Sequence, residues 1–293
     1  MTVKDLPAEP STNHWAERQA YHEHPALGSG DVRRLCDSWA AFEAARRTPF
    51  KATAASSIGS ATHLCLLEPH RAGELTPWVA DCGTRTAKAY LDLAGKAPKG
   101  AIILLAPELE RVTLAVRGAL RNPLVARILD GAQCEQEIYW DEPLDRYGRS
   151  GKLVQGKGLI DFVPANGLEL GDLKTTSDEI IDADAWGRTL ASHAYPVQAA
   201  WYRRGWAERH PWEGPRGWVW IVVQTVEPYL CELYRAHPTD LAWGDSRCER
   251  ALRRYATHHG RPEVWQGHSH ADADGWPTIE TVEMARWGRK GEW

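Results

Sequence analysis

Two aspartates and a lysine stand close together around a turn signal. In the stretch Leu159-Ile160-Asp161-Phe162-Val163-Pro164-Ala165-Asn166-Gly167-Leu168-Glu169-Leu170-Gly171-Asp172-Leu173-Lys174, an Asn-Gly pair separates two apolar runs, a strong short-range signal for a β-hairpin. Counting outward from a type I′ turn centred on Asn166 and Gly167 sets Val163 opposite Leu170 and Asp161 opposite Asp172. Side chains alternate between faces, so Lys174 falls on the face of Asp172, two residues along. Directly opposed residues have Cβ atoms roughly 5 Å apart, and like charges there repel. Two carboxylates held in this way among apolar neighbours need a compensating cation. An all-oxygen pair beside a lysine suits Mg²⁺, with Mn²⁺ as a substitute, because these ions bind through one or two carboxylates plus water and substrate phosphate. Pro164 cannot donate to a strand ladder and leaves room for a longer loop. The competing reading is a pair of ordinary strand-end aspartates with a solvated lysine; the apposition and the apolar flanks favour the metal.

Around this hairpin the chain reads as helices, a run of strands, two helices, two strands and a helix. Asp31 is a candidate N-cap for a helix carrying Val32, Leu35, Cys36, Trp39 and Phe42 at helical spacing and closed by Pro49. A second helix is expected over about 58–67, before Pro69, and a third after Pro107, ending before Pro123. From Gln133 the pattern turns to strands: Ile138 and Trp140, then 153–163 and 168–175. Helices follow at about 182–190 and 195–209, strands at 218–226 and 229–235, and a helix over about 239–257. These alternations describe an α/β chain with a mixed central sheet flanked by helices and an N-terminal helical layer. The expected division is one domain over 1–260, with a helical N-terminal part at 26–130 and a sheet core at 131–257, then a polar tail at 261–293. The tail stretch Gly267-His268-Ser269-His270-Ala271-Asp272-Ala273-Asp274-Gly275 is read as solvated chain rather than a second metal site.

Composition narrows the function classes. The chain has 293 residues, enough for a substantial core, and is 43% apolar. No run is long enough to cross a bilayer, and residues 1–10, with Asp5 and Glu9, do not read as a secretory signal. Six cysteines (Cys36, Cys65, Cys82, Cys134, Cys231, Cys248) show no metal or disulfide spacing, which points to a reduced cytoplasm. The formal charge of −4 is a poor match to strong phosphate binding as a global sum. Local basic doublets such as Arg33-Arg34 and Arg203-Arg204 read more simply as solvated helix faces.

Five segments together resemble the PD-(D/E)xK nuclease superfamily and, within it, the phage-type exonucleases related to RecE, exodeoxyribonuclease VIII. They are Ser57-Ile58-Gly59-Ser60-Ala61-Thr62-His63 continuing to Glu68-Pro69, Glu135-Gln136-Glu137-Ile138-Tyr139-Trp140, Gly156 through Asp161, Leu170-Gly171-Asp172-Leu173-Lys174-Thr175-Thr176, and Tyr195-Pro196-Val197-Gln198 through Tyr202. The resemblance spans about 26–205. It implies a restriction-endonuclease-like core in which Asp161 and Asp172 bind metal, Lys174 polarises water or phosphate, and the Leu173 carbonyl completes the metal site. Glu135 resembles the upstream glutamate, with Glu137 as competitor. His63 resembles the family histidine, and Gln198 and Tyr202 its Q-x-x-x-Y pair, which would position DNA or phosphate. Gln198 and Tyr202 are also neighbours on one helix face by spacing alone, where, without the resemblance, a helix packed on the sheet with Tyr202 in the core is the favoured reading. The cysteine cluster of the iron–sulfur-bearing relatives is absent, so no iron–sulfur cluster is expected. The resemblance further implies Mg²⁺-dependent digestion of double-stranded DNA from an end, 5′ to 3′, leaving single strands for recombination. It implies a RecT-like single-strand annealing partner, a cyclic trimer or tetramer, and residence in a bacterial or phage-infected cytoplasm. An endonuclease on the same fold and a catalytically silent DNA-binding module are the alternatives.

Overall fold

The computed structural model describes residues 14–48, 52–213 and 216–261. A five-stranded mixed sheet has the order β3-β4-β5-β6-β7, with β3 at Gln133–Pro143, β4 at Leu153–Val163, β5 at Glu169–Thr176, β6 at Gly217–Gln224 and β7 at Cys231–Arg235. β3, β4 and β5 run antiparallel as a meander; β5 and β6 are parallel, and β7 returns antiparallel. The parallel step needs a crossover, and α8 (Ala183–His193) with α9 (Tyr195–Arg209) supplies it. The expected mixed sheet flanked by helices is therefore present.

Both faces of the sheet are covered, which explains why β6 reads as an unbroken apolar run rather than an alternating one. Trp218, Trp220 and Val222 enter a core shared with α9, α10 (Pro238–His258), α2 (Ser29–Asp37) and α3 (Trp39–Arg47). Val219, Ile221 and Val223 enter the opposite core, with Leu66, Leu67, Ala115 and Ala119 from α4 (Ala54–Leu67) and α6 (Ala106–Arg121). A third cluster joins α4 and α6 to Trp15 of α1 (His14–Glu23).

Several expectations need correcting. The helix expected from Asp31 to Pro49 is two helices. Gly28 is the N-cap, and the Asp31 carboxylate, three residues in, accepts from the Gly28 N–H at 3.0 Å. Ser38 is extended and breaks the run; its hydroxyl accepts from the Ala41 N–H to start α3. The hairpin turn closes one residue earlier than a type I′ turn would. The Gly167 N–H donates to the Pro164 carbonyl, and Gly167, rather than the Asn-Gly pair, takes the positive φ, 66°. Pro164 has no N–H to give to the strand ladder, and the Asn166 side chain accepts from the Leu168 N–H. The register nonetheless remains as counted, with Phe162 paired to Gly171. Among the elements not expected are three helices, α1, α5 (Lys88–Lys96) and α7 (Pro123–Leu129), and a small parallel pair, β1 (Val79–Ala80) with β2 (Leu104–Leu105). α5 buries no side chain and so carries no apolar stripe to read. The tail at 262–293, including Gly267 to Gly275, lies outside the described residues.

Candidate metal and catalytic site

Three carboxylates occupy one row across three neighbouring strands. Cys134↔Phe162 and Gln136↔Ile160 bracket Glu135 and Asp161 on β3 and β4, and Phe162↔Gly171 sets Asp161 beside Asp172 on β5. The strand ladder gives way at this row. Ile160 packs into the α9-side core and Phe162 into the opposite one, so the two-residue alternation breaks at Asp161. The Asp161 carboxylate then accepts from the Leu173 N–H at 2.7 Å, in place of a backbone carbonyl. Glu135 has φ 51°, the left-handed region, which costs a non-glycine residue about 1–3 kcal/mol and is tolerated where the surroundings impose it. Glycine at 171 leaves room for the Phe162 ring, which lies where a Cβ would be.

A wedge keeps β4 from rejoining β5 beyond the row. Leu27 bridges to Gly156, taking the Lys157 N–H on its carbonyl at 2.9 Å and donating its own N–H to the Gln155 carbonyl at 2.8 Å. The Trp201 indole N–H also reaches the Leu27 carbonyl. The Lys157 ammonium, buried, donates to the carbonyls of Tyr21 at 2.7 Å and His24 at 2.8 Å, so it ties down the end of α1.

His63 reaches the row from α4. Gly59, one turn earlier, allows this approach, since a Cβ there would lie 2.9 Å from the Thr175 hydroxyl. His63 Nδ1 is 3.4 Å from Asp161 Oδ2. Burial, with the Lys174 charge adding to it, pushes the imidazole down to about 3, so it is neutral and has a free lone pair to offer. Ligand atoms of His63, Glu135 and Asp161 all lie within 4.8 Å of one another. One ion, at roughly 2.0–2.6 Å from each ligand, could touch all three.

The charges also fit a divalent cation. Burial, and then the Asp161 charge, raises Glu135 to about 8, and its Oε1 is buried without a hydrogen-bond partner. Asp161 is raised by burial as well. Asp172 is pushed up to about 6 by burial, opposed by Lys174 and reinforced by Asp161. Burial pulls Lys174 down, but Asp172 and Asp161 together outweigh it and raise the ammonium, which stays charged. Lys174 pairs with Asp172, and its Nζ sits 4.8 Å from the centre of the Tyr195 ring. The Gln198 amide donates to Asp172 Oδ1 at 2.9 Å.

Asp161, Asp172, Lys174, Glu135, His63 and Gln198 thus converge. The Leu173 backbone faces the same spot, its N–H toward Asp161 and its carbonyl toward His63. Glu137 does not join them; it sits two residues along β3, opposite Leu159. Tyr202 is buried over Gly158, with its hydroxyl accepting from Ser29 at 3.4 Å, as in the core-packing alternative. Two neighbours have no counterpart in the sequence reading. Arg18 of α1 approaches Glu135 at 3.6 Å, and Tyr195 lies under Lys174. Tyr195 stood inside the Tyr195–Tyr202 motif, whereas nothing local to Arg18 signals its contact 117 positions away.

No family model and no curated protein matches this sequence. Among solved structures, the chain is similar to a "Putative exonuclease" from Eubacterium rectale. The TM-score is 0.54 at 10% identity, over 97% of this chain and 99% of that one. The two share a fold. A second structure, SSO0001, covers 76% of this chain at 13% identity with a TM-score of 0.29, which carries no argument.

The described cysteines are all free thiols, and no described helix is long and apolar enough to cross a membrane.

Proposed function

We propose that this chain is a divalent-metal-dependent nuclease that hydrolyses phosphodiester bonds of double-stranded DNA from an end. The observation that carries this reading is the row Glu135, Asp161 and Asp172, with a neutral His63 above it and a charged Lys174 beside it. The fold shared with the structure named "Putative exonuclease", and the resemblance of the motifs to RecE-like enzymes, both support it. Glu135, Asp161, His63 and the Leu173 carbonyl would hold Mg²⁺ or Mn²⁺, with Asp172 as a further carboxylate. When bound, such an ion lowers the pKa of a water and offsets charge on the leaving oxygen.

The remaining work belongs to side chains. Lys174 presents a fixed positive charge where the phosphate gains negative charge, and it orients the attacking water. Asp172 and the Tyr195 ring hold the ammonium in place. Gln198 fixes Asp172 by donating to its other oxygen, leaving Asp172 no freedom to rotate away. In this reading Tyr202 supports β4 rather than stacking on a base. Polarity is 5′ to 3′, the product is single-stranded DNA, and a RecT-like annealing protein receives it. The enzyme assembles as a cyclic trimer or tetramer around its substrate.

Linear duplexes blocked at the 5′ or the 3′ end, compared with covalently closed circles, test the reaction in Mg²⁺. Digestion should require a free 5′ end and spare the circles. Cutting of closed circles would make the chain an endonuclease instead, and digestion stopped only by 3′ blocks would reverse the polarity.

A further inference from the structure

Arg18 is the most exposed member of the charged cluster. Its side chain is 22% exposed, against 12% for Glu135, 11% for Asp161, and 16% for Lys174 with 2% for Asp172. Part of the Arg18 side chain therefore reaches solvent beside the carboxylates. Its place is built rather than incidental. α1 is held by Lys157 on its terminal carbonyls and by Trp15 in the α4–α6 core, with Arg71 stacked over the Trp15 ring at 5.9 Å. The cluster splits by charge into two halves: Lys174 balances Asp172 at one end of the row, and Arg18 faces Glu135 at the other, where it balances the carboxylate once that is ionised. Arg18 also bears electrostatically on Asp161 and His63. At 3.6 Å the Arg18–Glu135 contact is a loose ion pair, and it leaves one Glu135 oxygen unpartnered.

Resting on the metal-nuclease reading above, we propose that Arg18 is the resident counter-cation of the metal site. It competes with the divalent ion for Glu135 and, once displaced, binds a phosphate of the DNA backbone. A divalent ion among Glu135, Asp161 and His63 supplies the positive charge that Arg18 otherwise gives Glu135. The guanidinium is then repelled by the ion and faces solvent with its donors free. A planar, bidentate donor at the mouth of an acidic site is suited to phosphate. The exchange also couples the two ligands: metal arrival frees the phosphate-binding group, so DNA engages most tightly at a metal-loaded site.

The test uses the full chain and two variants, Arg18→Gln, which keeps the packing without the charge, and Arg18→Lys, which keeps the charge without the fork. Mn²⁺ affinity is read by calorimetry without DNA above pH 8, where Glu135 is ionised, and affinity for a short blunt duplex by fluorescence anisotropy in Ca²⁺. Arg18→Gln should bind Mn²⁺ about 3- to 10-fold tighter, because a competing charge is gone, and the duplex about 3- to 10-fold more weakly. Arg18→Lys should restore most of the metal competition but little of the duplex affinity. A merely structural Arg18 would weaken both in parallel, and that result overturns the proposal. So does an Arg18→Gln variant with unchanged Mn²⁺ affinity beside a wild type that binds Mn²⁺. A wild type that binds no Mn²⁺ removes the metal-nuclease reading itself, and this proposal with it.

Discussion

At the scale of single residues, Glu135 makes the site sensitive to pH. Its folded value of about 8 lies above the ordinary 4.5, because it is buried beside Asp161. Between those values the folded protein keeps a proton that the unfolded chain has released, so stability falls as pH rises. Two other site groups act lower on the scale. Asp172, at about 6 instead of 3.8, adds to the fall. His63, at about 3 instead of 6.5, opposes it, since there the unfolded chain holds the extra proton. Asp161, raised by burial as well, acts in the same direction as Glu135, and from pH 6.5 to 8, above the range of His63, Glu135 is still titrating. Melting temperature in EDTA should decline across that window, and Glu135→Gln should flatten the decline. Saturating Mg²⁺, which favours the ionised carboxylate, should do the same in the wild type. Equal slopes in wild type and Glu135→Gln would show that Glu135 is not buried against Asp161 as described.

At the scale of elements, the hairpin shows what patterning can and cannot reveal. The apposition of Asp161 and Asp172 follows from counting residues between two apolar runs, and the Phe162↔Gly171 pair obeys that count. The turn type escaped because the closing hydrogen bond runs from Gly167 to the Pro164 carbonyl, one residue earlier than Asn166-Gly167 alone indicates. The resemblance prefers Glu135 to Glu137 by its offset from Trp140, while the left-handed backbone at Glu135 is something alternation does not encode. Arg18 lies on a helix of largely polar residues whose docking depends on Lys157, far along the chain. Gly171 tests the element most directly. A methyl there would meet the Phe162 ring, fully buried between the strands that carry Asp161 and Asp172. Gly171→Ala should cost about 1–3 kcal/mol by overpacking and should impair hydrolysis by more than the lost stability explains. A variant with unchanged unfolding midpoint in denaturant would show that the strands can part there freely.

At the scale of the whole molecule, the sheet is covered on both faces, and the carboxylate row with His63 and Lys174 gathers where β4 and β5 part around the Leu27 wedge. A net charge of −4 gives the chain little general hold on DNA. Encirclement by a ring would keep it on its track without that hold, so a mass of three or four chains is expected in solution; a monomer that digests processively would exclude the ring. The hydrolysis itself is tested most directly by the release of nucleotides from a labelled linear duplex, with Mg²⁺ or with EDTA, by the wild type, Asp161→Asn and Lys174→Ala. Wild type should hydrolyse with Mg²⁺ and not with EDTA. Both variants should lose at least about 100-fold in rate, and Lys174→Ala should still bind the duplex. Hydrolysis that survives EDTA, wild-type rates in Asp161→Asn, or no hydrolysis by the wild type in Mg²⁺ would contradict a metal nuclease built on this row of carboxylates.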